Sequence, residues 1–307
     1  MEPIDEALMT NDGNLTTLLD TADPTGTEGM FELYIQYKEA GDQTKAHEWL
    51  NKAGDQGHCR ALSVLGALAD PDDRLALVLK AAELGCDQAQ YDLGLWYLHY
   101  LNTDYVPKDY VQAAFWLTKA AEQGNMDAQL KLGLMYLEGQ GVPQDDDVAI
   151  AWIRKSAEQD HEWALCQLGW IFLEGQGVPQ SDKEAATYFL KAAELGDFNA
   201  TYQMGMMYLE GRGVPQDDEQ ACHWIRVSAE NGYRVAQALL GEMLELGHAT
   251  PRNLEEAAEW LAKAADWGDE DAQIRLDRLL RSGVLDPRTR DRIELLGRDP
   301  GAGRILH

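Results

Sequence analysis

Three glycine-rich segments are the first places where this sequence could do chemistry, because loops of this kind can hold a phosphate group. They read GQGVPQD, GQGVPQSD and GRGVPQD, at Gly139–Asp145, Gly175–Asp182 and Gly211–Asp217. A phosphate-binding loop follows a strand and carries a lysine next to serine or threonine, and these segments lack that lysine. Glycine followed by proline instead predicts a turn that ends one helix before the next begins. We therefore expect turns here and no phosphate site.

Histidine and cysteine side chains are the other candidates for chemistry. No two of the seven histidines have the i, i+4 spacing that places two metal ligands on one helix face, so we expect no metal site and no cofactor. The four cysteines show no CxxC spacing and no regular pairing, which predicts reduced thiols in a cytoplasmic protein. They are Cys59, Cys86, Cys166 and Cys222. Residues 1–15 lack the basic and apolar runs of a signal peptide, and no segment approaches the apolar length of a membrane span.

Charge restricts the classes of partner. The chain has 53 acidic and 26 basic residues, for a net charge of −27. Such a surface repels phosphate backbones and anionic lipids, so we expect neither nucleic acid nor a membrane as a partner. A partner protein with a basic surface is favoured, although strong charge also keeps an abundant protein soluble. An acidic mimic of nucleic acid, in which carboxylates imitate phosphates, is a further alternative.

The elements that would position any site come from a repeat of 36 residues. Its anchoring alanines are Ala128, Ala164, Ala200, Ala236 and Ala272. Counted from the alanine, Leu or Met follows at +4, Gly at +5 and a large apolar residue at +8, which is one face of a helix, here called helix A. After the glycine-rich turn, alanines and a recurrent aromatic residue predict a second helix, helix B. The period is typical of stacked helix pairs.

The whole pattern, AxxxLGxxYxxGxGVxxDxxxAxxWxxxAAxxG, resembles the SEL-one-like repeat (SLR) family, a relative of the tetratricopeptide repeats. The resemblance is strong from about residue 87 to residue 269. It implies an all-α, right-handed superhelical solenoid of antiparallel helix pairs. In that fold the A helices line a concave groove and the B helices form the convex back.

The repeat divides the chain into an acidic N-terminal segment (1–28), the solenoid (29–283) and an arginine-rich C-terminal tail (284–307). Within the solenoid we expect a degenerate unit at 30–57, a short unit at 59–86, full units at 87–125, 126–161, 162–197, 198–233 and 234–269, and a capping helix at 270–283. Asp160 occupies the position where other units end helix B with glycine. A weak point or a local distortion is predicted there, because aspartate tolerates a left-handed backbone less well.

Positions +2, +3, +6 and +10 of helix A point towards the expected groove and differ between units. They predict a partner-binding set: Tyr91, Leu95, Lys131, Leu134, Glu138, Gln167, Trp170, Glu174, Tyr202, Gln203, Met206 and Glu210. Trp170 is the expected anchor, because an exposed tryptophan in a concave site can dominate an interface. Two alternatives stay open. The residues at +2 and +6 could pack between successive A helices, and the glutamates at +10 could be solvated helix ends.

The leading hypothesis is therefore a non-enzymatic protein-interaction module that holds a basic partner protein in its groove. SLR proteins include bacterial immunity proteins that block a toxin and adaptors in signalling or regulatory complexes, so the resemblance implies an immunity or inhibitor protein, with an adaptor or scaffold as the alternative. A hydrolase is the alternative we expect least, since no Ser-x-x-Lys motif, nucleophile elbow or cluster of histidine with carboxylates is present.

Overall fold

The computed structural model of the protein describes residues 26–98 and 108–296. These residues form sixteen helices and no strand. The helices are α1 (Thr27–Glu39), α2 (Gln43–Asp55), α3 (Cys59–Leu68), α4 (Pro71–Glu83), α5 (Asp87–Tyr97), α6 (Tyr110–Glu122), α7 (Met126–Glu138), α8 (Asp146–Ala157), α9 (Glu162–Glu174), α10 (Asp182–Glu194), α11 (Phe198–Glu210), α12 (Asp218–Glu230), α13 (Arg234–Leu246), α14 (Leu254–Asp266), α15 (Glu270–Ser282) and α16 (Pro287–Leu296).

The helices follow the repeat, so the predicted all-α solenoid of helix pairs is confirmed. The chain divides into two compact units: the first unit extends to Trp152, and the second unit begins at Ile153. Three parts of the predicted division lie outside the described residues: the N-terminal segment up to residue 25, the loop at 99–107 and the tail from residue 297. The arginine-rich segment from residue 284 begins with a packed helix, α16, whose Ile293 is buried.

The turn between helices A and B has the structure that its glycines and proline predict. Helix α9 ends at Gly175, which has a left-handed backbone (φ 73°) and donates its N–H to the carbonyl of Ile171 at 2.9 Å. Ser181 then caps α10 by accepting a hydrogen bond from the N–H of Glu184. Glycine at the end of one helix and serine at the start of the next satisfy backbone groups that would otherwise lack partners.

The glycine at +5 explains how close helices A and B of one repeat lie. A β-carbon at Gly169 would lie 2.6 Å from the ring of Phe189, and one at Gly205 would lie 2.5 Å from Ile225. Both Phe189 and Ile225 are fully buried. Only glycine leaves room for the helix B side chain, so this position fixes the contact that closes each pair.

The second glycine of the turn makes a different contact, with the start of the preceding helix B. A β-carbon at Gly213 would lie 2.1 Å from the carbonyl oxygen of Asp182, and one at Gly141 would lie 2.0 Å from that of Tyr110. In the turn after α13 this position is Ala249, with φ 59°. A methyl group at this position would clash with the start of the preceding helix B if the backbones lay as close as they do at Gly213. At Ala249 a cavity instead lies between this residue and Asp218, which is equivalent to Asp182.

Asp160 adopts the left-handed backbone of the glycines that it replaces. Its φ is 58°, compared with 83° to 102° at the glycines that end the other B helices. The turn itself is retained, since the N–H of Asp160 donates to the carbonyl of Ala157 as the N–H of Gly196 does to Ala193. The predicted distortion is therefore limited to one backbone angle in an unfavourable region for a non-glycine residue.

In the first unit, the short repeat has a short connection between its two helices. Pro71 begins α4, so the connection between α3 and α4 consists of Ala69 and Asp70 alone. Proline at the first helical position is favourable because its missing N–H has no partner there in any case.

The prediction of reduced cysteines is wrong for two of the four. Cys59 and Cys86 form a disulfide, with their α-carbons 5.4 Å apart. Cys166 and Cys222 are free. The pair was missed because its members are the first and last residues of the short unit, 27 residues apart, and this spacing does not recur in the other repeats. Disulfides form mainly in oxidising compartments, so the cysteines no longer support the expectation that the protein is cytoplasmic.

The C-terminal end of the second unit is closed by arginines. Arg275 pairs with Glu242 and Glu245, Arg278 also pairs with Glu245, and Arg292 pairs with Glu259. Glu245 is buried, so its charge needs these partners.

Candidate partner-binding site

The structure places all twelve predicted residues on the A helices and leaves each at least partly accessible. The three glutamates at +10 are exposed, and the other nine residues are half-buried. Five lie in the first unit, on α5 and α7, and seven lie in the second unit, on α9 and α11.

In the first unit, two of the five predicted residues contact the apolar core. Tyr91 and Leu95 lie against the apolar cluster built by α6 and α7. Glu138 accepts a hydrogen bond from the side chain of Gln140 in the following turn. Lys131 and Leu134 remain half-buried on α7. The alternative of packing between successive A helices therefore describes Tyr91 and Leu95.

The second unit brings four of the predicted residues together around a cavity of about 230 Å³. Its lining comes from Tyr202, Gln203, Met206 and Glu210 of α11, together with Leu173, Met207 and Arg212. Leu173 belongs to the preceding helix A, so the cavity lies between consecutive A helices. The lining combines the apolar side chains of Leu173, Met206 and Met207 with an amide, a carboxylate and a guanidinium.

Arg212 sets the charge at one side of this cavity. Its guanidinium donates to both carboxylate oxygens of Asp182, at 3.0 and 3.4 Å, and lies 3.8 Å from Glu210. The hydrogen bond to Asp182 raises the pKa of Arg212 above its ordinary value. Arg212 thus directs its hydrogen bonds to Asp182, and the Glu210 side chain is 45% exposed.

Aromatic rings extend the surface from the cavity to the start of α11. Tyr202 lies edge to face with Tyr233 at 5.3 Å between centroids, and Phe198 lies 5.4 Å from the same ring. Burial raises the pKa of Tyr202, with smaller contributions from Tyr233 and Glu210. Phe198 remains 40% exposed. The cavity and these rings form one surface, which we call the α11 face: Leu173, Phe198, Tyr202, Gln203, Met206, Glu210, Arg212 and Tyr233.

Trp170 is less exposed than its predicted role as anchor requires. Its ring meets the buried Phe189 edge to face at 5.5 Å, which makes it half-buried and part of its own repeat's packing. Near it, burial raises the pKa of the Cys166 thiol, and Asp197 raises it further. Gln167 and Glu174 lie on the same helix and do not line the cavity.

Sequence reasoning missed four members of the α11 face: Leu173, Phe198, Arg212 and Tyr233. For Phe198 and Tyr233, the signal was an aromatic side chain just before the anchoring alanine, at register positions −2 and −3. For Arg212, the signal was arginine at the turn position where the two preceding copies have glutamine. Trp163, at −1 of its repeat, is another aromatic residue that sequence reasoning missed, and it is 62% exposed.

The described residues contain no group of three or more His, Cys, Asp and Glu side chains that could hold a metal ion. Within the same ranges, no helix combines the length and apolarity that crossing a membrane requires.

Comparison with known proteins identifies the repeat. The family model of the Sel1 repeat matches six segments, which together make up more than half of the chain: 37–58, 87–125, 127–161, 164–197, 199–233 and 234–269. The chain belongs to the Sel1 repeat family. Sel1 repeats are protein-interaction modules. The short unit and the capping helix lie outside the matched Sel1 segments, in keeping with their departures from the pattern.

Solved Sel1 structures share the fold. An SLR-fold protein described as a protective antigen present in uropathogenic Escherichia coli is 30% identical with a TM-score of 0.76, covering 95% of this chain and 64% of its own. A Sel1 repeat protein from Oxalobacter formigenes is 31% identical with a TM-score of 0.66, covering 78% of this chain and 99% of its own.

Chitin synthase regulatory factor 3 of Schizosaccharomyces pombe is a curated relative. It is 34% identical over 118 residues, which are 38% of this chain and 12% of that protein. The chain therefore spans about an eighth of this curated relative.

Proposed function

We propose that this Sel1 repeat protein is a non-enzymatic binding protein that takes a basic segment of a partner protein on its α11 face. The observation that carries the proposal is the cavity between Leu173 and α11, which places apolar side chains beside the exposed Glu210. Such a shape suits one long side chain with an apolar stem and a cationic head, that is, lysine or arginine.

Two further features support this partner chemistry. The net charge of −27 attracts basic proteins from a distance and speeds their association. The aromatic rings of Tyr202 and Phe198 beside the cavity supply apolar area at little entropic cost, as is typical of residues that dominate interfaces.

Among the roles open to such a module, we favour an inhibitor or immunity protein that covers the basic catalytic surface of an enzyme or toxin. Complementary charge is the support, because enzymes that act on nucleic acids or anionic lipids carry basic active-site surfaces. An adaptor that leaves its partner active is the alternative.

The test compares the α11 face with a matched position on helix B. A partner is captured on the purified chain, purified in turn, and titrated by calorimetry. We expect the pair of substitutions Met206→Ala and Glu210→Lys to weaken binding about tenfold or more. Together they shorten an apolar side chain of the cavity lining and reverse the charge of Glu210. Glu194→Lys makes the same charge change on an exposed glutamate at the end of helix α10 and should preserve affinity.

The outcomes separate the roles. Equal losses in both variants would mean that only total charge matters, and no loss in either would refute the α11 face. Loss of the partner's activity in the complex indicates an inhibitor, and retained activity indicates an adaptor. Competition by DNA would favour a nucleic-acid mimic, and turnover of a substrate by the chain alone would favour an enzyme.

A further inference from the structure

The apolar core of the first unit falls into separate clusters, and one boundary between clusters runs along helix α3. Ala61 belongs to the cluster formed with α1 and α2, whereas the next residue, Leu62, belongs to the cluster formed with α4, α5 and α6. Helix α3 has ten residues, and its Leu68 is 61% exposed. The two clusters meet along α3, and we call this boundary the seam.

The contacts of α3 with the N-terminal side of this seam are specific. His58 caps α3 by accepting a hydrogen bond from the N–H of Ala61. Its other ring nitrogen lies 2.9 Å from the carboxylate of Glu28, and its ring stacks on Phe31 at 4.6 Å. Helices α1, α2 and α3 are thus held together as one block, which we call the N-terminal block.

The disulfide crosses the seam. Cys59 is the first residue of α3, and Cys86 immediately precedes α5 and is buried within the second cluster. Other links from α3 to that side include the packing of Leu62, the close approach of Gly66 to Val78, and hydrogen bonds from the Arg74 guanidinium to the carbonyls of Gly66 and Ala69. The S–S bond is the one covalent link across the seam besides the chain itself within the described part of this unit.

The position of the disulfide follows from the repeat register. Cys59 stands at −2 of its repeat and Cys86 at −3 of the next. The same two positions are joined by a hydrogen bond between Asp87 and Asn125 one repeat further on, and by the contact between Phe198 and Tyr233 in the second unit. These two register positions thus lie next to each other where successive A helices begin. At the seam they are occupied by cysteines and joined by a covalent bond.

We propose that the Cys59–Cys86 disulfide is a redox-controlled clasp that couples the N-terminal block to the rest of the first unit. Cys59 is exposed, so a dithiol reductant can reach it. The reductant's thiolate attacks Sγ of Cys59, the S–S bond breaks, and Cys86 leaves as a thiolate that takes up a proton. The second thiol of the reductant then displaces Cys59, which gives two protein thiols and one oxidised dithiol. In an oxidising compartment a disulfide oxidant drives the reverse reaction and closes the clasp.

Hydrogen exchange read by mass spectrometry tests the clasp on the full chain. With dithiothreitol as the reductant, we expect amides of the N-terminal block to exchange about tenfold faster or more than in the oxidised chain. Amides of α10 to α14 should exchange at the same rate in both states. The double variant Cys59→Ser, Cys86→Ser should show the fast rate with or without reductant.

Two controls make the result decisive. Cys222→Ser removes a free, half-buried thiol and should retain the response to reductant. Alkylation of the unfolded chain without reductant should modify two cysteines, and after reduction four. Four modified cysteines before reduction, or equal exchange in the oxidised chain, the reduced chain and the double variant, would overturn the proposal.

Discussion

The ring of Phe189 shows how a single residue organises both a repeat and its binding surface. Phe189 is fully buried, fills the space left by Gly169 of helix A and supports the edge of Trp170. The tryptophan that the sequence singles out is therefore held in place by a helix B residue. At this scale, position in the repeat predicted that Trp170 faces the groove, but its contact with Phe189 of helix B was not predicted, and that contact leaves it half-buried.

Phe189→Ala should lower the free energy of unfolding by about 3–5 kcal/mol, because a fully buried ring leaves a cavity that its neighbours fill only in part. Urea unfolding measures the change. Leu195→Ala removes a side chain that is 49% exposed and should cost less than about 1 kcal/mol. Similar losses in the two variants would contradict the packing described here.

Asp197 gives a prediction of pH dependence. Burial raises the pKa of its carboxyl above the ordinary value, although the N–H of Ala200 donates to it. Because the folded pKa exceeds the unfolded one, the folded state binds the proton more tightly. The stability that Asp197 contributes is then complete below the unfolded pKa and is lost as pH rises through the folded pKa.

Asp197→Asn should remove this loss and keep the cap, since asparagine also accepts a hydrogen bond at the start of a helix. We expect the stability of the variant relative to the original chain to grow between pH 4 and pH 7, measured by urea unfolding at both values. Parallel pH profiles of the two proteins would show that Asp197 does not titrate in this way.

At the scale of the element, the turn ending each helix B can be tested at two equivalent positions. Asp160→Gly should stabilise the chain by about 1 kcal/mol, because glycine adopts a positive φ without steric cost. The reverse change, Gly196→Asp, should destabilise by a similar amount, since a β-carbon there meets nothing within 4 Å and only the backbone (φ 102°) is strained. Thermal unfolding of both variants checks the pair. A change of the same sign in the two would mean that side-chain contacts dominate.

At the scale of the whole molecule, charge should have opposite effects on folding and on binding. Raising NaCl from about 20 to 300 mM screens repulsion among the 53 acidic residues and should raise the thermal midpoint by about 2–4 °C. The same change should weaken capture of a basic partner on the α11 face. Scanning calorimetry and binding titrations across one salt series measure both. A salt-independent affinity would argue against a basic partner.

The repeat period explains why so much of this molecule follows from its sequence. Helix pairs, turns and the left-handed glycines depend on contacts within one repeat or with the next, and these recur at a fixed spacing. Departures from the period were harder to interpret. The disulfide joins two cysteines at register positions that carry other residues elsewhere, and the cavity beside α11 is lined in part by Arg212, which stands where the two preceding turns have glutamine.

The disulfide also determines how this chain would respond to mechanical force. A pull on the N-terminus that unfolds α1 and α2 reaches Cys59, and the load then passes through the S–S bond directly to Cys86, 27 residues further along the sequence. At about 3.3–3.6 Å for each residue, the segment between the two cysteines has roughly 90 Å of contour length, which cannot extend while the S–S bond is intact. The short repeat would therefore bear no tension of its own, and the force would arrive next at α5, where the regular repeats begin.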